Sequence, residues 1–221
     1  MNSAIIVAAG SGTRFGSEVP KQFLEINGKP MISHSIAAFE NAAEIDEIVL
    51  VVSPETMERA EVLRSSKVSA VVPGGPFRVQ SVRNGFCVAD KSSSVVAVHD
   101  AARPLVLPDE IDEVVKRASE IGAACFTMPV TDTIKEIERG IITRTIDRET
   151  LRRAATPQAF KYEILEQALS DSDVDAFATD ECFLVEKLGY DIACVDGSTQ
   201  NIKITYPEDL LIAEAIVRSR T

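Results

Sequence analysis

Short apolar runs alternate with amphipathic stretches along this chain. The runs Ala4 to Ala8, Glu47 to Val52, Val68 to Val72, Val95 to Val98 and Ala123 to Met128 are short and mostly apolar. That pattern predicts strands of a parallel sheet covered on both faces. Between them, helices are expected over Met31 to Ala43, Glu55 to Ser65, after the Pro73-Gly74-Gly75-Pro76 turn, and over Asp109 to Ile121. The alternation predicts an α/β fold built on an open, mostly parallel, Rossmann-like sheet. Ligands of such sheets bind where the loops leave the carboxyl ends of the strands. The loops after Ala8, Val72 and Val98 are therefore expected around one crevice.

The texture changes between Thr131 and Thr156. Ile134 to Glu138 and Ile141 to Ile146 alternate in β fashion across Arg139-Gly140, which predicts a protruding hairpin arm at about 132–156. An isolated hairpin is marginally stable, so this one is expected to lean on a partner subunit or on its own domain. Beyond it, Lys161 to Leu169 and Glu181 to Leu188 read as helices, Asp191 to Val195 and Asn201 to Thr205 as strands. A last helix opens at Pro207 with Glu208 and Asp209 in its first turn and closes near Arg218 and Arg220, as the helix dipole favours.

With 221 residues, 45% hydrophobic and 26% charged, a single domain over 1–221 is the expectation. The first strand starts so early that a leader segment is not expected, and no apolar run approaches the length of a membrane span. A cytoplasmic protein is inferred. A net charge of −11 disfavours nucleic acid and anionic membranes as partners, so any anionic ligand has to be held by local cations. Cys87, Cys125, Cys182 and Cys194 are scattered without metal spacing and read as buried, reduced thiols.

The loop Ala8-Ala9-Gly10-Ser11-Gly12-Thr13-Arg14-Phe15-Gly16, followed by Pro20-Lys21-Gln22, carries the chemistry. Glycines let backbone N–H groups approach phosphate oxygens, and Arg14 and Lys21 add charge, so the loop reads as a nucleotide site. The P-loop pattern is absent. The glycine spacing fails the dinucleotide fingerprint, and the second strand ends in Val52-Ser53-Pro54 without an acid for a ribose. A nicotinamide dehydrogenase is disfavoured accordingly.

Further segments occur in order: Gly74-Gly75 followed by Arg78 and Ser81, His99-Asp100-Ala101-Ala102-Arg103-Pro104, Asp132-Thr133, Asp147-Arg148, Thr156-Pro157-Gln158, Thr179-Asp180-Glu181 and Asn201-Ile202-Lys203-Ile204-Thr205. With the glycine loop they resemble the 2-C-methyl-D-erythritol 4-phosphate cytidylyltransferase family of sugar-phosphate nucleotidyltransferases, across nearly the whole chain. One departure is Pro76, where that family often has an acidic residue.

The resemblance implies transfer of the cytidylyl group of CTP to methylerythritol 4-phosphate, with release of pyrophosphate and with Mg²⁺, held mainly by the CTP phosphates, as cofactor. It implies Arg14, Lys21, Lys203 and Asp100 as catalytic residues. Ala8, Ala9, Gly10, Gly12, Gly75, Ser81 and Ala101 would surround the nucleotide, and Thr133, Arg148, Arg103 and Thr156 the acceptor. Asp100 is left open between water-mediated metal contact, substrate hydroxyls and a pair with Arg103. His99 reads as a packing or loop-fixing residue, since an attacking phosphate needs no general base. The resemblance further implies a homodimer whose arm brings Thr133 and Arg148 to the neighbouring site. A ribitol 5-phosphate cytidylyltransferase is the alternative close in chemistry, and a non-catalytic nucleotide-binding module the distant one.

Overall fold

In the computed structural model of the chain, residues 1–10, 15, 19–170 and 178–220 are described. Strand β1 (Asn2–Ala8) runs into the glycine loop. After a small ladder of β2 (Glu25–Ile26) and β3 (Lys29–Pro30), helix α1 (Met31–Asn41) leads to β4 (Glu47–Val52). A short α2 (Met57–Glu61), preceded by a 3-10 turn at Pro54–Thr56, precedes β5 (Val68–Pro73). The expected helix from Glu55 to Ser65 is thus cut to about half. Helix α3 (Arg78–Phe86) then leads to β6 (Val95–Asp100), and α4 (Pro108–Ile121) to β7 (Ala123–Pro129).

The arm follows as β8 (Ile134–Glu138) and β9 (Ile141–Ile146), which among the described residues pair only with each other. Arg139 and Gly140 between them take φ of 51° and 81°, the two left-handed values that a tight hairpin turn requires. The remaining elements are β10 (Arg152–Lys161), α5 (Tyr162–Ser170), α6 (Glu181–Lys187), β11 (Ala193–Asp196) and α7 (Pro207–Ser219).

Seven strands form the main sheet in the order β11-β7-β10-β6-β1-β4-β5. All neighbouring pairs are parallel except those of β10, which runs antiparallel between β6 and β7. No strand is expected from the residue pattern at β10, since Thr156-Pro157-Gln158 in its middle interrupts any apolar run and Arg152 and Arg153 open it. Its ladder is itself irregular there, with the register shifting between Ala154 and Gln158.

Alternate residues of β1 show why the central strands read as continuous apolar runs. Ala4, Ile6 and Ala8 join the core on one face while Ile5 joins the core on the other, and all four are buried. Helix α4 buries Ile111, Val114, Val115 and Ala118, the spacing of one helical face, and ends at Gly122 with φ 117°. Asn201 to Thr205 is not a strand. It is fastened instead by hydrogen bonds to loops and side chains, among them the Ile204 N–H to the Ala102 carbonyl at 2.7 Å. Of the cysteines, Cys125 and Cys182 are buried, whereas Cys87 and Cys194 are exposed, and all four are free. No helix among the described residues is long and apolar enough to cross a membrane.

Candidate active site

The carboxyl ends of β1, β4, β5 and β6 open onto one cleft of about 780 Å³. Its wall includes Ala8, Ala9 and Gly10 of the first loop, Lys21, Gly75 and Ser81, Asp100, and Lys203. Gly12 and Arg14 lie outside the described residues. Ser53, Pro54 and Glu55 line the cleft as well, so an acid does follow the second buried strand, one residue later than the segment in which none was found.

Close backbone approach holds the two glycine turns together. A Cβ on Gly74 would stand 2.2 Å from the Cβ of Ala9 and 2.8 Å from Ser81 Oγ, so only glycine fits there. The Gly75 N–H donates to Ser81 Oγ at 3.1 Å. Gln22 braces the first loop from below, its amide donating to the Gly10 carbonyl at 2.8 Å and to the Ala8 carbonyl. Its neighbour Lys21 reaches the carbonyl of Ile204 at 2.8 Å, next in sequence to Lys203.

Asp100, the last residue of β6, is 8% exposed. Its Oδ1 accepts from Arg78 Nε at 2.9 Å and its Oδ2 from Lys203 Nζ at 2.7 Å. Burial pushes this carboxyl up, but Arg78 and Lys203 outweigh it and hold it below the ordinary carboxylate range. Arg103 is not its partner, because Arg103 Nη1 donates to the Asn201 carbonyl at 2.9 Å. Arg103, Ala101 and Thr156 are all buried behind the wall rather than on it.

Thr156 and His99 fasten Asp100 from behind. The Asp100 N–H donates to Thr156 Oγ1 at 3.0 Å, and Thr156 Oγ1 lies 3.1 Å from His99 Nδ1. The Arg103 carbonyl, 3.1 Å from His99 Nε2, can only accept, so Nε2 carries the proton and Nδ1 accepts from the threonine hydroxyl. Burial pushes the imidazole from 6.5 down to about 4, the nearby Asp100 only partly opposing it. The folded state therefore favours neutral His99, while the unfolded chain binds the proton more readily. Stability is expected to be complete above about pH 6.5 and to fall by up to about 1.4 kcal/mol per pH unit between pH 6.5 and 4. Denaturant titrations across that window, on the wild type and His99→Gln, test this; an equal slope in both would assign the loss to other groups.

The acceptor residues expected on the arm lie at its base and do not line the cleft of their own chain. Arg148 lines a shallow groove with Thr131, Glu149 and Arg152, its Nη1 donating to the Thr131 carbonyl at 2.6 Å, and Thr133 is exposed at the arm's base. The structure also brings in Arg78 and Glu181, to which the sequence reading gave no role. A signal was available: Arg78 opens α3, and a cation at a helix N-terminus is disfavoured unless anions meet it.

A family model described as 2-C-methyl-D-erythritol 4-phosphate cytidylyltransferase matches residues 2–219. The chain belongs to this family. The cytidylyltransferase of that name from Desulforamulus reducens is 43% identical over 224 residues, covering 98% of this chain and 96% of that protein. The one from Caldanaerobacter subterraneus is 43% identical over 223 residues, covering 98% of each. Among solved structures, a 4-diphosphocytidyl-2C-methyl-D-erythritol synthase from Anaerococcus prevotii superposes with a TM-score of 0.87 at 26% identity, covering 98% of this chain and 96% of that one. The Thermus thermophilus cytidylyltransferase gives 0.78 at 32% identity, covering 97% and 98%. For the cytidylyltransferase cleft, a wall of glycine-turn backbone with cations at two depths is suited to a nucleoside triphosphate.

Proposed function

We propose that this cleft binds MgCTP and that the protein transfers its cytidylyl group to 2-C-methyl-D-erythritol 4-phosphate, releasing pyrophosphate. The observation that carries the reading is the convergence of Lys21 and Lys203 on a cleft walled by the backbone of the glycine turns. The acceptor phosphate attacks the α-phosphorus in line while pyrophosphate leaves, so the main task is to bring two polyanions together and offset their charge.

Lys21 serves the triphosphate and the charge growing on the leaving pyrophosphate, a task shared with Arg14. Lys203 serves the α-phosphate or the attacking phosphate. Ala8, Ala9, Gly75 and Ser81 offer backbone and hydroxyl groups to the base, with Pro76 in place of a side-chain carboxylate. Mg²⁺ enters with CTP and neutralises phosphate charge. Two observations support that assignment: among the described residues no group of three His, Cys, Asp or Glu could hold a metal ion, and both oxygens of Asp100 already take a cation.

The acceptor phosphate is held by Arg148 and Thr133 of a second copy of the chain. Support comes from the arm, where Ile137, Ile141 and Ile142 are 63%, 70% and 60% exposed on a two-stranded hairpin. Such a hairpin gains stability by packing against another surface. A homodimer joined through the arms supplies one.

Pyrophosphate release measured with CTP and either methylerythritol 4-phosphate or ribitol 5-phosphate tests the reaction. Turnover is expected with the first acceptor and at least about a hundredfold less with the second, since an acceptor that leaves buried polar groups unpaired is strongly rejected. Release with ribitol 5-phosphate alone would reassign the acceptor. CTP binding without release for any polyol phosphate would make the protein a nucleotide-binding module.

A further inference from the structure

Four charged side chains from four parts of the chain form a line of alternating sign, of which Arg78, Asp100 and Lys203 line the cleft and Glu181 lies behind it. Glu181, the first residue of α6, accepts from Arg78 Nη1 through both oxygens, at 2.6 and 2.8 Å. Arg78 Nε donates to Asp100, and Asp100 accepts Lys203. Two carboxylates thus balance two cations. Glu181 is 1% exposed, against 26% for the Arg78 side chain and 44% for that of Lys203. The line runs from the interior to the open cleft.

This line is poorly arranged for stability. Burying a carboxylate is costly even when it is paired, and here burial outweighs Arg78 and leaves the Glu181 carboxyl above its ordinary range. Arg78 Nη2 is buried with no acceptor among the described residues. A guanidinium placed for its own sake would use that donor; this one is oriented by two carboxylates instead.

The Glu181 backbone is held on both sides. Asp180 accepts the Phe183 N–H at 3.0 Å and the Gln158 amide at 2.9 Å, and Gln158 Oε1 accepts the Cys182 N–H at 3.1 Å. Gln158 belongs to β10 in the centre of the sheet. Glu181 therefore presents its carboxylate from a rigid base.

We infer that Glu181 is a positioning residue for cytidylyl transfer: it anchors Arg78 on Asp100, so that Asp100 keeps a cation when Lys203 turns its ammonium to a phosphate. The inference rests on the reading above, in which Lys203 serves a phosphate. Without the anchor, the triphosphate draws Arg78 off Asp100 and leaves a buried carboxylate facing polyanions. Asp100 then competes with the phosphate for Lys203.

A double-mutant cycle tests this, using pyrophosphate release from the full-length protein with MgCTP and methylerythritol 4-phosphate. Glu181→Gln is expected to lower kcat about tenfold, with KM for CTP within about threefold and the melting temperature within about 3 °C. In an Asp100→Asn background the same substitution is expected to change kcat by less than about twofold, because the group it acts through is gone. Glu181→Asp should recover part of the loss. A tenfold loss repeated in the Asp100→Asn background, or a loss of stability in step with the loss of rate, overturns the inference. Should Glu181→Gln not fold, Arg78→Lys, which keeps the charge but cannot span two carboxylates, takes its place in the cycle with the same two outcomes. Absence of release from the wild type overturns the underlying reading and this inference with it, whereas wild-type turnover with a multiplicative cycle overturns the inference alone.

Discussion

Lys21→Ala is expected to lower kcat by about 10² to 10³, some 3 to 4 kcal/mol of transition-state stabilisation, while the far-ultraviolet circular dichroism stays that of the wild type. Charge develops on the bridging oxygen as pyrophosphate departs, and a cation fixed beside it acts without reorganising at that moment. The Ile204 carbonyl, 2.8 Å from Lys21 Nζ, fixes that position. The same substitution removes one tie on the segment bearing Lys203, and the Ile204 N–H bond to Ala102 remains to hold it. Lys21→Arg, which keeps the charge on a bulkier head, should retain a measurable fraction of the rate. A folded alanine variant turning over at near wild-type rate would remove Lys21 from the mechanism.

Mixing two dead variants should restore activity. If Arg148 serves the cleft of its partner, an Arg148→Ala chain and a Lys21→Ala chain form heterodimers in which one of the two sites combines an intact Lys21 with an intact Arg148. Random exchange of equal amounts makes half the dimers mixed, so about a quarter of all sites recover. The position of Arg148 supports the design: it sits in a shallow groove at the base of the arm, lined by none of the residues that wall the main cleft. Pyrophosphate release is measured before and after mixing, with subunit exchange followed by a tag on one chain. Demonstrated exchange with no gain in rate would confine each site to a single chain.

How much of this was legible in the residue order differs between elements. The parallel strands announced themselves because both of their faces are covered, which turns each into an unbroken apolar run; β6, from Val95 to Asp100, is buried throughout. The arm announced itself for the opposite reason, as alternation around Arg139-Gly140. Strand β10 did not, because a strand whose middle carries Thr156 for its bonds to Asp100 and Asn201, then Pro157, then Gln158 for its bond to Cys182, gives no periodic signal. The segment from Asn201 to Thr205 misled in the other sense: its apolar residues alternate, yet they are spent on fastening a loop.

Within the site, the cleft-facing positions Lys21, Gly75, Ser81, Asp100 and Lys203 were readable from motifs. What the motifs could not separate was contact from support. Arg103 stands in the same short segment as Asp100, and three residues of chain separate a side chain on the cleft from one in the core behind it. Arg78 and Glu181 were invisible as a pair, since 103 positions separate them.

The place where the arm leaves the sheet has a modular consequence. Pro129 and Arg152 face each other as a ladder pair of β7 and β10, so everything between them is an excursion from a single hairpin corner. The chain comes back to the residue opposite the one it left. Whatever is added there, an arm of any length or a two-residue turn, closes on the same pair of neighbours without altering strand order. The nucleotide cleft, at the ends of strands on the other half of the sheet, is thereby insulated from changes in the arm's tip, and the two parts of the molecule are free to diverge at different rates.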